Sequence, residues 1–257
     1  MSTQIPSFFA ATRGLWTLTW RSKLTWKRVI PVLASMLSIP IFTVCVINPG
    51  QIDGFNRIVI DLYFFVVVPI SCLINFGSMI RDELQDDTIT FLITRPVNRA
   101  KVYLLKYVTL TLWVQIILFG NGIGFWAAGI YLDMPHISTL APLIIITQAL
   151  AVVAFGALSS LLGMLTQKYI IAGVVYGFIV EFGIGQIPTN INVLSISRHL
   201  KTLLARNTEL MSMYDWPATG GSFSLGMVVG ATILFLTAGA LLFNFREYHH
   251  TEDMQKS

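Results

Sequence analysis

Residues 80–107, IRDELQDDTITFLITRPVNRAKVYLLKY, set a polar segment between two apolar runs that are each long enough to cross a bilayer. Four carboxylates come first: Asp82, Glu83, Asp86 and Asp87. Leu84, Thr88, Phe91 and Leu92 then recur at helical spacing. Pro96 follows, and the positive charges Arg95, Arg99, Lys101 and Lys106 occupy the second half of the segment. A helix carrying that stripe lies along the membrane surface and offers its charged face to something in the cytosol. The segment reads as a docking element.

The composition of the whole chain agrees with a life in lipid. Of its 257 residues 54% are apolar and 12% charged, and the mean hydropathy is +0.70. A soluble domain carries about twice that charge fraction. The formal net charge of +4 is therefore no nucleic-acid footprint, and what matters is where the positive residues fall. Cys45 and Cys72 both sit inside apolar runs, as small buried hydrophobes rather than a disulfide or a metal pair.

Six segments qualify as crossings: 29–48, 60–80, 102–130, 140–165, 170–188 and 224–244. Pro31, Pro40, Pro69 and Pro142 fall within or at the ends of these segments, where kinks are tolerated more readily than in soluble helices. No cleavable signal peptide is expected, because the first apolar run starts late, after five basic residues. Six crossings put both termini on one side. Of the 17 Lys and Arg residues, all but Arg57, Arg198, Lys201 and Arg206 fall on that side, with Lys106 counted in the second loop. The basic excess marks the cytoplasmic side, so both termini are expected inside, with the protein in the plasma (inner) membrane. The expectation is an all-α membrane protein, a single domain over 1–257 with six transmembrane helices.

Three further segments have a reading of their own. Over residues 1–28, Ile5, Phe8, Phe9, Leu15, Trp16 and Trp20 recur at helical spacing among Arg13, Arg21, Lys23, Lys27 and Arg28, which predicts an N-terminal interfacial amphipathic helix. Residues 81–101 form the cytoplasmic segment between spans two and three. Residues 189–223 form the one sizeable external loop, too short for a domain and suited to capping the bundle. Within it Ile196, Leu200, Leu203 and Leu204 mark an amphipathic stretch, with Arg198, His199 and Lys201 on the opposite face.

Several chemistries are excluded. His136, His199, His249 and His250 all lie in loops or the tail, so no span offers the two ligands of a buried haem or the base of an intramembrane serine protease. His249 and His250, with Glu252 and Asp253, read as a solvated tail. There is no GxxxxGK[ST] and no GxGxxG opening a helix, so the chain is not expected to cradle a nucleotide itself, nor to be an enzyme on its own. Within the spans, Glu181 stands out in FIVEFGIGQIP. An ionisable group at that depth is costly and marks either a functional path or a hydrogen-bonded structural carboxyl near the outer interface. Asp61 reads as interfacial. Asn75, Gln115, Asn121 and Gln148 are candidates for interhelical hydrogen bonds, and Gly120/Gly124, Gly173/Gly177 and Gly226/Gly230 for close helix approach within a subunit or between two.

Residues 80–107 resemble the cytoplasmic loop of ABC-2 type permeases, the membrane subunits of a class of ATP-binding-cassette exporters. That loop has a glutamate after the second span, then a Gly-Thr pair, leucines, a proline with a basic residue three positions on, and a lysine opening the third span. Here Glu83, Thr88, Leu92, Pro96, Arg99 and Lys106 occupy those places, and Asp87 stands where glycine is usual. The resemblance implies a permease that pairs with itself or a homologous permease. Two separate ATPase subunits, which bind the ATP, dock on its cytoplasmic face, and the chain holds no cofactor of its own. It implies that residues 82–95 form a coupling helix, with Glu83, Asp87, Thr88, Phe91, Leu92, Pro96, Arg99 and Lys106 transmitting the ATPase motion. Glu181 stands apart from that set as the pathway candidate. Two other readings stay open: an ion- or proton-coupled secondary transporter using Glu181, and a membrane mechanotransducer acting on a periplasmic partner.

Overall fold

A backbone in hydrocarbon must satisfy its own N–H and C=O groups, and a chain this apolar does so by coiling into helices. The computed structural model describes residues 16–17, 26–79, 99–183, 190–204 and 220–245, and all regular structure among them is helical. The helices are α1 (Trp26–Val46), α2 (Ile52–Gly77), α3 (Arg99–Tyr131), α4 (Ile137–Leu165), α5 (Tyr169–Gly183), α6 (Ile196–Leu204) and α7 (Gly221–Phe245), with a short 3₁₀ turn over Asn190–Leu194 before α6. Four of them, α2, α3, α4 and α7, are long and apolar enough to cross a membrane. Leu37–Val46 within α1, and α5, are shorter apolar helices. Of the interfacial helix expected over 1–28, only Trp16 and Thr17 and the start of α1 lie within the described residues.

The second helix starts at Ile52, eight residues before the apolar run, so Asp53 and Arg57 are helical rather than part of a loop, and Asp61 lies within the helix instead of at its start. The connection from α1 is correspondingly short. Gly50 turns it with φ of +79°, a conformation that costs glycine nothing, and the Gly50 amide donates to the Leu132 carbonyl at 3.0 Å, tying this turn to the end of α3. Further along α2, Pro69 has no N–H to return to Phe65 and its ring crowds that carbonyl. The preceding residues, Ile58–Val67, run as a wider π-helix before α-helical geometry resumes at Val68.

Helix α4 is the hub, packing against α2, α3, α5, α6 and α7, while α1 lies on α3. Glycines set these approaches. A Cβ on Gly163 of α4 would overlap the carbonyl of Gly77 on α2, one on Gly156 would press the Phe76 ring at 2.8 Å, and one on Gly239 of α7 would overlap the Tyr103 hydroxyl of α3. Of the glycines in GxxxG spacing, Gly124 meets Pro40 of α1 and Gly173 meets Leu73 of α2, whereas Gly177, Gly226 and Gly230 face open space. The spacing therefore serves packing within the chain at two positions.

Polar side chains cross-link the bundle interior. Tyr63 directs its hydroxyl at Gln148 Oε1, 2.6 Å away, with the Leu118 carbonyl at 3.2 Å, so α2, α3 and α4 meet at one point. Gln115 Nε2 donates to the Ala149 carbonyl at 2.9 Å, Tyr107 to Val153 at 2.7 Å, and the Tyr103 and Ser160 hydroxyls lie 2.7 Å apart. Gln115 and Gln148 thus make the interhelical bonds expected of them, while Asn75 donates to Ser71 within its own helix at 2.9 Å. Each such bond contributes about 0.5–2 kcal/mol, because the unfolded chain in lipid finds partners too.

Candidate functional site

Two places in the bundle concentrate polar chemistry, one where α5 meets α6 and one where α2 ends. At the first, α5 ends in a π-helical turn, Gly177–Gly183, that carries Glu181 inward; the side chain is buried. Its carboxylate accepts four hydrogen bonds. Ser195 Oγ donates at 2.7 Å, the Ser197 amide at 2.9 Å, Tyr176 Oη at 3.1 Å and the Ile196 amide at 3.3 Å. Ser195 is the residue before α6, and its Oγ in turn accepts from the Arg198 amide at 3.2 Å. The first N–H groups of a helix have no partner within it. Here Glu181 and Ser195 together take three of them, and the negative charge sits at the positive end of the α6 dipole. Glu181 is thereby the joint between α5 and α6.

The other residues of α6 fix where that joint sits. Ile196, His199, Leu200, Leu203 and Leu204 are buried against α4 and α7. The expected amphipathic helix is present, but His199 lies on its buried face, not with Arg198 and Lys201. Positions 196, 199, 200, 203 and 204 are the i, i+3, i+4, i+7, i+8 set of one face, and the ring finds polar partners there. His199 Nδ1 lies 3.3 Å from Ser224 Oγ of α7, and Nε2 lies 2.9 Å from the Val193 carbonyl. The neutral tautomer with the proton on Nε2 satisfies both. Burial pushes the imidazole below its usual range and the Arg198 charge adds to this, while the Val193 carbonyl and Glu181 oppose it. Lys201 places Nζ 4.3 Å from the centroid of the Phe65 ring on α2. Burial lowers its basicity, with Asp61 and Glu181 opposing. Among the described residues, Ser197 Oγ and Arg198 Nη1 are buried without a hydrogen-bond partner.

Where α2 ends, the last described residue before the 80–98 segment is Met79. Lys106, buried on α3, donates from Nζ to the Met79 carbonyl at 3.0 Å, and the Met79 amide bonds to the Phe76 carbonyl at 3.1 Å. A cation on the final carbonyls also complements the negative end of the helix dipole. The exit of α2 is thus clamped to α3, and α3 begins at Arg99. Glu83, Asp87, Thr88, Phe91, Leu92 and Pro96 lie outside the described residues, so of the expected coupling set only Arg99 and Lys106 are described. Glu181, Arg99 and Lys106 are not brought together: the first lies at the α6 end and the other two at the 79–99 end. Among the described residues there is no group of three or more His, Cys, Asp or Glu side chains able to hold a metal ion.

Residues 19–185 match the family model described as ABC-2 family transporter protein. The chain belongs to the ABC-2 transporter family. The match runs from ahead of α1, through the 80–98 segment, to the end of α5, and so includes both Lys106 and Glu181; α6 and α7 follow it. No curated protein and no solved structure matches the chain. As an ABC-2 permease it is a multi-pass membrane protein and the transport component of an ABC transporter, not its catalytic subunit, and its partner is an ABC ATPase. Ser195, fully buried where it completes the α6 cap, carries no sequence signal beyond its place one residue before an amphipathic stretch.

Proposed function

We propose that this permease converts ATP hydrolysis by two copies of a separate ATPase subunit into movement of a substrate across the inner membrane, working as a pair with itself or a homologous permease. The ATP is bound by the partner, and the permease needs no cofactor. The chain is one membrane domain with six crossings, α1–α5 and α7, and both termini in the cytoplasm. Residues 81–101 form the coupling segment, and residues 189–223 the external cap. Supporting this reading is the family match across the whole of the 80–98 segment, set between α2 and α3 and clamped at its start by Lys106 on Met79.

Motion of the coupling helix, with Glu83, Asp87, Thr88, Phe91 and Leu92 on the ATPase and Pro96 turning the chain toward Arg99, is delivered to α2 and α3 because Lys106 stops the exit of α2 from pivoting freely. At the far end, α5 shares Glu181 with α6, so a displacement of α5 carries the cap with it and opens or closes the external mouth. Glu181 is the ionisable residue of that path. Glu83→Ala and Leu92→Asp test the coupling. Both variants should insert and pair normally while their stimulation of the cognate ATPase falls sharply. Full stimulation by both would refute the assignment.

A further inference from the structure

The last turn of α2 is where α2, α4 and α5 meet. The Gly77 carbonyl lies against Gly163 of α4, and a Cβ on Gly77 would overlap the ring of Tyr169, the first residue of α5. Four residues earlier the roles are exchanged. Leu73 of α2 fills a notch at Gly173 of α5, where a Cβ would come within 2.5 Å of the Leu73 methyls. The pairs 77–169 and 73–173 set α2 and α5 in antiparallel register. At both levels a large side chain from one helix sits in a glycine notch of the other, about one helical turn apart.

Chain connectivity alone does not make α5 follow its neighbours. Tyr63, Tyr107 and Gln115 bond α4 to α2 and α3, so those three helices move as one body. Helix α5 is joined to α4 through Thr166–Lys168, a turn in which the Lys168 amide donates to Thr166 Oγ1 at 3.2 Å. Each turn residue keeps two soft dihedrals, so the connection tethers α5 without fixing its tilt. Close-packed side chains, by contrast, pass on a displacement with little slack. With the 73–173 contact as fulcrum and a rise of 1.5 Å per residue, Tyr169 lies about 6 Å to one side and Glu181 about 12 Å to the other. A shift of the Tyr169 ring therefore reaches Glu181 about doubled and reversed in direction.

We propose that Tyr169 is the positioning residue that delivers movement of the α2 exit to α5: its ring, seated on Gly77, makes α5 tilt with α2, and Glu181 passes that tilt to α6. This rests on the ATPase coupling proposed above and adds the side chain through which the external end is reached. Lys106 holds the α2 exit to α3, and Tyr169 holds α5 to the same exit.

The test uses the full permease in complex with its cognate ATPase and reads hydrogen exchange by mass spectrometry, with and without ATP, on peptides covering 80–98 and 196–204. In the unaltered complex, exchange in both regions should change when ATP is added. Tyr169→Ala empties the notch. The response at 80–98 and the stimulation of the ATPase should persist, while the response at 196–204 is lost. Tyr169→Phe keeps the ring and should retain the response of the unaltered complex. A merely structural role would alter exchange at 196–204 equally with and without ATP and leave the difference in place. Should Tyr169→Ala not elute as a monodisperse complex, Gly77→Ala, whose methyl displaces the ring, carries the test. A full ATP response at 196–204 in either folded variant would overturn the inference. So would its loss in Tyr169→Phe, or an unaltered complex that responds at 80–98 alone. Absence of any response at 80–98 in the unaltered complex would refute the coupling reading itself, and the role of Tyr169 with it.

Discussion

Removing the Glu181 carboxylate should loosen α6 and leave the rest of the bundle standing. Glu181→Ala strips four donors of their acceptor. The Ser195 and Tyr176 hydroxyls can turn to other partners, but the buried amides of Ile196 and Ser197, at 3.3 and 2.9 Å, cannot. Each amide left unsatisfied costs about 1–3 kcal/mol, and fraying of the first turn recovers part of that, so the loss comes to about 2–4 kcal/mol. Every 1.4 kcal/mol is tenfold in an equilibrium constant, so local opening of α6 becomes about 30- to 1000-fold more frequent. Hydrogen exchange read by mass spectrometry on peptides covering 196–204 measures this directly, with peptides from α4 as the unaffected reference. Glu181→Gln keeps one acceptor oxygen but turns an NH₂ group toward the other pair of donors, so about half the loss is expected, roughly 5- to 30-fold faster exchange. Exchange of α6 at the unaltered rate in both folded variants would refute the cap. If that result came with lost ATPase coupling, Glu181 would belong to the transport path alone.

Lys106→Met leaves the Met79 carbonyl without its charged donor and should cost about 1.5–3 kcal/mol, seen as a lower unfolding temperature in detergent; an unchanged temperature would show that α2 needs no clamp. His199 gives the α6 region a pH dependence of definite sign. Its folded value lies below the usual 6.5, so the unfolded chain binds more protons in between, and stability is full above about pH 7 and falls as pH drops through 6.5 toward the folded value. His199→Gln should flatten exchange of 196–204 over that interval. Gly163→Val forces α2 and α4 apart at the Gly77 carbonyl, and an overpacked contact of this kind costs about 1–3 kcal/mol or more, so loss of the monodisperse peak on size exclusion is expected. For topology, with Cys45 and Cys72 replaced, cysteines at Ser138 and Thr208 should react with impermeant thiol reagents on intact cells, and cysteines at Asn98 and Gln167 only after the membrane is opened; the reverse pattern would invert the orientation.

Much of this protein is legible along the chain. A bilayer admits few backbone solutions, so hydropathy alone implies helices, and a polar loop with the order Glu83, Thr88, Leu92, Pro96, Arg99, Lys106 points to the ABC-2 family that the match over 19–185 establishes. The buried stripe of α6 is readable in part, since a helix at an interface has one wet face. What lies beyond reading is which face of each long helix turns inward. Lipid is as apolar as a protein core, so Ile146 at 60% exposure and Ile144 at 5% on the same helix look alike in sequence. For the same reason GxxxG spacing selects Gly226 and Gly230, where an added Cβ would meet nothing, and passes over Gly163 and Gly156, whose neighbours on α2 are distant along the chain. Glu181 is conspicuous from its place in an apolar run, yet its role depends on partners fourteen to sixteen residues on, brought back by the turn before α6. A charge in hydrocarbon announces that partners exist, and only the packing of α5 against α6 decides that they are the open N–H groups of a helix end.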